Sequence, residues 1–597
     1  MGTKNHIGPI LAVDCGTVTT TALLLDQVQG EYRLVAIGEA PTTWGAPSGV
    51  ADGVRHAVGG IFETRGQRFF DEDGALISPQ GRGQLGVDAF ACTVSASEPL
   101  QVALGGLGKE LSIASAKRAA AGTYSKITAT LNDSDGTPLG DEACARAIRD
   151  AEPDVVCIAG GVEGGADRPV LRMVKAATVA CSMMDPHARP TLLYAGNSRL
   201  RRRVAEIVGN EAELRVVENV RPTLEEECLE DAQRELESLF VQRKLRQLRG
   251  VGSLSEWGAV PAAPTAQAFG RLIHYLWYLG EPERGVVGVD VGGSNTTIAA
   301  VFDEHLTLTI HNGLGAAMGG EQLIERYGLE ALIRWLPHPL SDSEARELLI
   351  NKQSHPASIP QVNPELWLEQ AVAREAIRGT LEIAHPGWQP GTAGAYPELM
   401  PLCDTIVVGG GVLAKAPRPG QAALILLDAL QPIGICTLVL DAHGLAPALG
   451  NVARIKPVAA VEALDGGGLT NLCTVVAPVG EARPGEIVLK MKVTYDDDSE
   501  LDVEVPYGEL EILPLPLGQE AVLDLSPRRG FDVGVGGRGR RGRRRVSGGL
   551  AGLIIDARGR PLRLPPEPDQ RREKIRQWLS DAGGARSSEH RIPSRPW

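Results

Sequence analysis

The sequence predicts an α/β protein made of two similar halves, followed by an antiparallel β module. Three observations carry that prediction. Strand-like apolar runs alternate with amphipathic helical stretches up to about residue 470, the pattern of a mainly parallel sheet with helices on its faces. The stretch ILAVDCGTVTTTALLLD, Ile10–Asp26, is echoed by VVGVDVGGSNTTIAAVF, Val286–Phe302: apolar strand, Asp, one residue, Gly, hydroxyls, apolar strand. From about Asn471 the chain alternates apolar and polar residues at period two, as in GEIVLKMKVTYDDDSELDVEVPYGELEILPLPLGQEAVLDLSP.

The elements follow in order. The first hairpin leads to a third strand at Tyr32–Ala40, and after a turn-rich stretch Leu85–Ala96 reads as another buried strand. KELSIASAKRAA is helix-forming, and DEACARAIRDAEPDVVCIAGGVEGG reads as helix, Pro-marked turn and a strand over Asp154–Ala159 that ends in glycines. Thr191–Gly209 is strand, glycine turn and helix, with charged helices continuing to about residue 248. The second half repeats the plan: its hairpin, helices to about Gly379, then DTIVVGGGVLA (Asp404–Ala414), a strand ending in three glycines, and TLVLDAHGLAPALG as strand, loop and helix start. The run GGRGRRGRRR (Gly536–Arg545), with arginines over Arg538–Arg545, is either a site for an anionic partner or nucleic acid or, the favoured reading on an acidic protein, a solvated flexible loop. Four regions result: 7–260, a first domain with an inserted helical region; 261–470, a second domain; 471–565, the β module; and 566–597, a helix and a disordered tail.

Composition narrows the function classes. At 597 residues the chain exceeds one core. A net charge of −14 argues against nucleic acid as a partner, since phosphate backbones need a basic footprint. Nine cysteines stand singly with no CxxC pair, which gives no support to a zinc ribbon, an iron–sulfur cluster or a thioredoxin-like site and fits a reducing cytoplasm. The N-terminus lacks a signal-peptide pattern, and the most apolar long stretch is broken by Asp428, Gln431 and Pro432, so no membrane span is expected.

The hairpins carry the chemistry. Asp14 ends a buried strand, Gly16 lets the backbone turn closely past a ligand, and Thr17, Thr19 and Thr20 add hydroxyls to a turn whose N–H groups can cradle phosphate oxygens. The echo supplies Asp290, Gly292, Gly293, Ser294, Asn295, Thr296 and Thr297. Two such turns facing each other would grip a polyphosphate from both sides, with Asp14 and Asp290 converging on a hydrated Mg²⁺, an ion that favours one or two carboxylates and keeps its waters. Gly409, Gly410 and Gly411 offer bare backbone against which a nucleoside can lie. IAGGVEGGADR (Ile158–Arg168) is either a second ligand-binding turn, with Glu163 and Asp167 as candidate metal ligands, or an inherited structural turn. No histidine pair has ligand spacing, and GxSxG is absent.

The order hairpin, hairpin, glycine-ended strand resembles the actin, sugar kinase and heat-shock ATPase superfamily. GEYRLVAIGEAPTTW, PDVVCIAGGVEGGADR, LLYAGNSRLRRRV, VVENVRPTLEEE, GVDVGGSNTT and PYGELEILPLPLGQ resemble, more narrowly, the glutamate mutase L family over about residues 7 to 565. The resemblance implies duplicated actin-like (ribonuclease H-like) ATPase domains around a nucleotide cleft. It also implies ATP and Mg²⁺ as cofactors, and a role as reactivating chaperone for an adenosylcobalamin-dependent mutase or its cobalamin-binding subunit. Two stretches depart from the family pattern, CTVSASEPL (Cys92–Leu100) and GLGAAMGG (Gly313–Gly320). Two alternatives stay open: a small-molecule kinase on the same fold, with Asp88 or Asp154 as its base, and a nucleotide-controlled filament or scaffold protein.

Overall fold

The computed structural model describes residues 7–81, 85–132, 140–388 and 396–583. They form two compact units, one made of Met1–Ala96, Gly252–Thr307 and Gly313–Trp597, the other of Ser97–Val251 with Leu308–Asn312.

In the larger unit the first half supplies β1 (Ile10–Cys15), β2 (Thr19–Val28), β3 (Glu31–Pro41) and β4 (Ala89–Val94). The first four residues of β1 are fully buried, which is why this run is apolar without alternation. β2 lies antiparallel to β1 and β4 parallel to it. The stretch expected as an inserted helical region carries a sheet of its own: β5 (Leu100–Gly106), β6 (Ser125–Asn132), β7 (Val155–Ile158), β8 (Thr191–Tyr194) and β9 (Leu214–Val216). These strands are all parallel, in the order β6-β5-β7-β8-β9. The helices are real, but they connect strands of a doubly wound sheet rather than forming a helical insert.

The short β10 (Ala263–Pro264) returns to pair with β4 and completes the sheet β10-β4-β1-β2-β3. The second half follows with β11 (Gly285–Val291), β12 (Asn295–Phe302), β13 (His305–Asn312), β14 (Cys403–Gly409) and β15 (Gly434–Leu440). Both halves thus share one strand plan, order 3-2-1-4-5 with the second strand antiparallel to the first, the ribonuclease H-like arrangement that the resemblance implies. Registers match as well. Asp14 lies opposite Thr21 on β2 and Thr93 on β4; Asp290 lies opposite Thr297 on β12 and Gly409 on β14. The helix Thr265–Leu279 packs against β11 and β12, where the missing side chain of Gly288 makes room for Ile273 and Phe269. The helix Leu445–Val452 crosses it at Gly450, where a Cβ would come within 1.9 Å of the Ala268 carbonyl.

The C-terminal part holds β16 (Thr470–Ala477), β17 (Ile487–Tyr495), β18 (Glu500–Pro506), β19 (Leu510–Leu513), β20 (Glu520–Pro527), β21 (Gly542–Ser547) and β22 (Leu553–Asp556). Three of these extend the second half into an eight-stranded sheet, β13-β12-β11-β14-β15-β16-β22-β19. The remaining four make the antiparallel sheet β18-β17-β20-β21. The arginine run ends in this sheet rather than in a free loop. Arg545 pairs with Glu520 at 2.7 Å, Arg543 with Asp524 at 3.7 Å, and Arg544 with Glu281 at 2.7 Å. A buried ion cluster ties the end of the chain to the second half: Arg558 meets Asp556 at 2.9 Å and Asp428 at 2.8 Å, Arg374 also holds Asp428, and Arg558 lies over the Trp578 ring. Of the expected tail, residues 584–597 lie outside the described residues.

Candidate functional site

Both hairpin turns close in the same way. The Gly16 amide donates to the Thr19 carbonyl at 3.0 Å, and the Gly292 amide to the Asn295 carbonyl at 2.9 Å. A side chain at position 16 would meet the Thr19 oxygen at 2.8 Å, so the turn needs glycine for close approach. The turns abut, because a Cβ on Gly293 would fall 2.3 Å from Val18 and 3.2 Å from the Thr17 hydroxyl. Thr17, Thr19, Gly292, Gly293, Ser294 and Asn295 are partly exposed along this junction. Thr20 and Thr296 turn inward: Thr20 shares a 2.9 Å hydrogen bond with Thr42, whose hydroxyl reaches the Gly16 carbonyl, and Thr296 donates to the Leu314 carbonyl at 2.6 Å. Thr297 is buried on β12. These three shape the turns from behind.

The departing segment Gly313–Gly320 lies directly against the second turn. Its amides at Gly313, Ala316, Ala317 and Met318 donate to the carbonyls of Ser294, Gly292 and Gly293, all at 2.9 Å. Tying down these carbonyls fixes the peptide planes of the turn.

Three carboxylates meet behind the turns. Asp14 accepts hydrogen bonds on Oδ1 from the Thr93 and Thr265 hydroxyls, both at 2.7 Å. Burial pushes its pKa up, and the two hydroxyls oppose that rise. Asp290 accepts no hydrogen bond among the described residues; burial, then the charges of Asp14 and Asp441, push its carboxyl up from 3.8 to about 7. Asp441 was not foreseen. It ends the run into the helix Leu445–Val452 and caps it, accepting amides from His443, Leu445 and Ala446 at 3.3, 2.8 and 2.7 Å. Burial raises its pKa against those amides. Asp441 lies three residues before the N-cap Gly444, so no capping pattern in the sequence marks it, and only the fold brings it to the other two aspartates.

At the end of β14, a Cβ on Gly409 would lie 3.2 Å from Asp290 Oδ1 and 3.8 Å from the Asp441 Cβ. Gly410 has φ of +95°, and a Cβ there would meet the Val291 carbonyl at 2.1 Å. Gly411 is exposed and begins a short helix. The three glycines thus run from the carboxylates to the surface.

Among the described residues neither Asp14 nor Asp290 pairs with a lysine or arginine, and no group of three or more His, Cys, Asp or Glu is arranged to hold a metal ion directly. Uncompensated carboxylates beside a phosphate-sized turn suit a cation that arrives with its own waters and anion, and do not suit a bare ion in a protein cage.

The other candidates lie apart. Asp88 receives the amides of Gly8 and Gln80. Asp154, in the smaller unit, pairs with Lys244 at 2.8 Å and accepts the Gln101 amide. Glu163 is exposed and is held below the usual carboxylate range by Ser198 and Asn219, and Asp167 stands at the start of the helix Arg168–Ser182. Asp88, Asp154 and Glu163 are each held by partners outside the hairpin turns.

The sequence matches the MutL protein family over residues 10–466, more than half of the chain. The chain belongs to the MutL protein family. A curated MutL-family relative, Protein MutL of Clostridium tetanomorphum, is 25% identical over 365 residues, covering 56% of this chain and 75% of its own. Solved structures similar to this MutL-family chain include a nucleotide-free acetone carboxylase (11% identity, 84% of this chain, 81% of the other, TM-score 0.29) and the activator of 2-hydroxyisocaproyl-CoA dehydratase from Clostridium difficile (11% identity, 76% and 96%, TM-score 0.27). At these scores the superpositions carry no weight, and the fold rests on strand order and register. Among the described residues no helix is long and apolar enough to cross a membrane.

Proposed function

We propose that this MutL-family chain binds Mg-ATP across its two hairpins, hydrolyses it, and uses the resulting change to reactivate an adenosylcobalamin-dependent mutase such as glutamate mutase. The observation that carries the nucleotide part is the meeting of Asp14 and Asp290 behind two abutting glycine turns, with the Gly409–Gly411 edge alongside. The choice of client is what the resemblance to the glutamate mutase L family implies, and the family match supports it.

Each group has a task in this reading. Bound here, Mg²⁺ supplies charge neutralisation for the phosphates. The turn amides and the hydroxyls of Thr17, Thr19 and Ser294 hold phosphate oxygens from opposite sides. Asp14, oriented by its two threonines, faces the cation through water. Asp290, which accepts no hydrogen bond among the described residues, orients a water and accepts its proton. Gly409–Gly411 seat the nucleoside. Nucleotide shifts the chain toward a closed state only as far as it binds that state more tightly.

The test is ATP turnover measured alone, with candidate sugars, and with a cobalamin mutase inactivated by turnover. Restored mutase activity that needs ATP is the expected result. Stimulation by a small substrate with no effect on the mutase would overturn the chaperone role in favour of a kinase, and ATP-dependent light scattering would favour a filament.

A further inference from the structure

The two halves share a strand plan, yet the aspartates at matching positions are treated differently. The β4 residue beside Asp14 is Thr93, and the β14 residue beside Asp290 is Gly409. On one side a hydroxyl fills the space next to the carboxylate; on the other the space is left bare. Thr265, the first residue of the helix Thr265–Leu279, adds a second hydroxyl to Asp14. It is brought there by β10, which pairs with β4 at Thr93 and Val94. Both bonds are 2.7 Å long and both end on Oδ1; among the described residues none ends on Oδ2. Both threonines are buried, at 0% and 5% exposure, so water does not compete for them.

From this asymmetry we infer that Thr93 and Thr265 are positioning residues that lock the Asp14 side chain and present its Oδ2 to the cation of a bound Mg-nucleotide. Two donors converging on one oxygen remove the rotation about the carboxyl bond that a single donor would permit, and leave the other oxygen free to accept from metal-bound water. Asp290 has no such lock, because its neighbour must be glycine to leave the edge of β14 open. The first half thus supplies a fixed acceptor and the second half a movable one. The inference rests on the Mg-nucleotide reading of the site, but the lock itself is a property of the protein alone.

The variants are Thr93→Val, Thr265→Val and the double variant, which keep shape and remove the hydroxyls, with Thr93→Ser and Thr265→Ser as rescue. Crystal structures read the Asp14 orientation, and a fluorescent ADP analogue titrated at varied Mg²⁺ and in EDTA reads the cation requirement. The expected result for the double variant is a reoriented or multiply placed Asp14 and a roughly tenfold higher Mg²⁺ requirement, with binding in EDTA unchanged and with both serine variants behaving as wild type. An Asp14 that keeps one orientation in the double valine variant overturns the proposal, as does failure of serine to restore it. If wild type binds no nucleotide, the functional reading fails, while the orientation of Asp14 still decides the role of the threonines.

Discussion

Asp290→Asn is the most informative single change, because its effect on stability has a sign that depends on pH. In the folded chain the Asp290 carboxyl is raised from 3.8 to about 7 by burial and by the charges of Asp14 and Asp441. Below about pH 4 the group is protonated in both folded and unfolded chains and contributes nothing. Between about pH 4 and pH 7 the unfolded chain releases this proton while the folded chain keeps it, so stability falls as pH rises, by up to about 1.4 kcal/mol per unit. Above pH 7 both states are ionised and the full cost remains, about 4 kcal/mol for a shift of some three units. Asp290 retains partial exposure, which makes that figure an upper bound; about 2–4 kcal/mol is the working range. Asparagine has the same shape and no charge. Denaturant unfolding in EDTA without nucleotide should therefore find the variant more stable than wild type at pH 8, with the gap closing toward pH 4. Mg-nucleotide should then stabilise wild type and leave the variant unmoved. A variant that is less stable than wild type by the same amount at every pH would refute the carboxylate cluster as drawn.

Other expectations follow from neighbouring contacts. Gly410→Ala places a methyl against the Val291 carbonyl at a positive φ, so nucleotide binding should be lost and melting temperature lowered, as a thermal scan would show. Gly293→Ala should push the two turns apart at Val18 and weaken nucleotide affinity with a smaller loss of stability, read by titration beside the same scan. Arg558→Met takes one of two arginines from each of Asp428 and Asp556, which keep Arg374 and Arg560, and should cost about 3 kcal/mol in denaturant unfolding, the low end for a broken buried pair. Asp154→Asn removes the charge that pairs with Lys244 while keeping an oxygen for the Gln101 amide, and should leave ATP turnover unchanged; a collapse of turnover would revive the kinase reading.

Much of this was legible in the sequence because the hairpins repeat. Asp14 and Asp290 stand out through identical local patterns, and the abutting turns follow the reading that two such loops face each other. Thr93, Thr265 and Asp441 were illegible for a physical reason. Each lies in an ordinary local context, a buried strand, a helix start and a helix cap, and gains its role only when β4, β10 and β15 bring distant segments to one place. The doubly wound sheet within the first half was half visible. Its helices and the strands at Asp154–Ala159 and Thr191 could be read, but the charged helices dominated the impression of the whole stretch. The arginine run is another such case. Six arginines in the eight residues Arg538–Arg545 read as a solvated loop, and five of them are exposed, but the acidic residues that pair with Arg543, Arg544 and Arg545 lie on β20 and on the second half and draw the end of the run into a sheet.

The central claim is that the two hairpins form one Mg-nucleotide site. Calorimetric titration of the full chain with ATP, with and without Mg²⁺, tests it most directly, using Asp290→Ala as the comparison. A single nucleotide per chain that binds far more tightly with Mg²⁺ than without it, the Mg²⁺-dependent gain being lost in the variant while its fold by circular dichroism is unchanged, is the predicted result. Absence of nucleotide binding, or Mg-ATP binding by Asp290→Ala equal to wild type, would contradict the account.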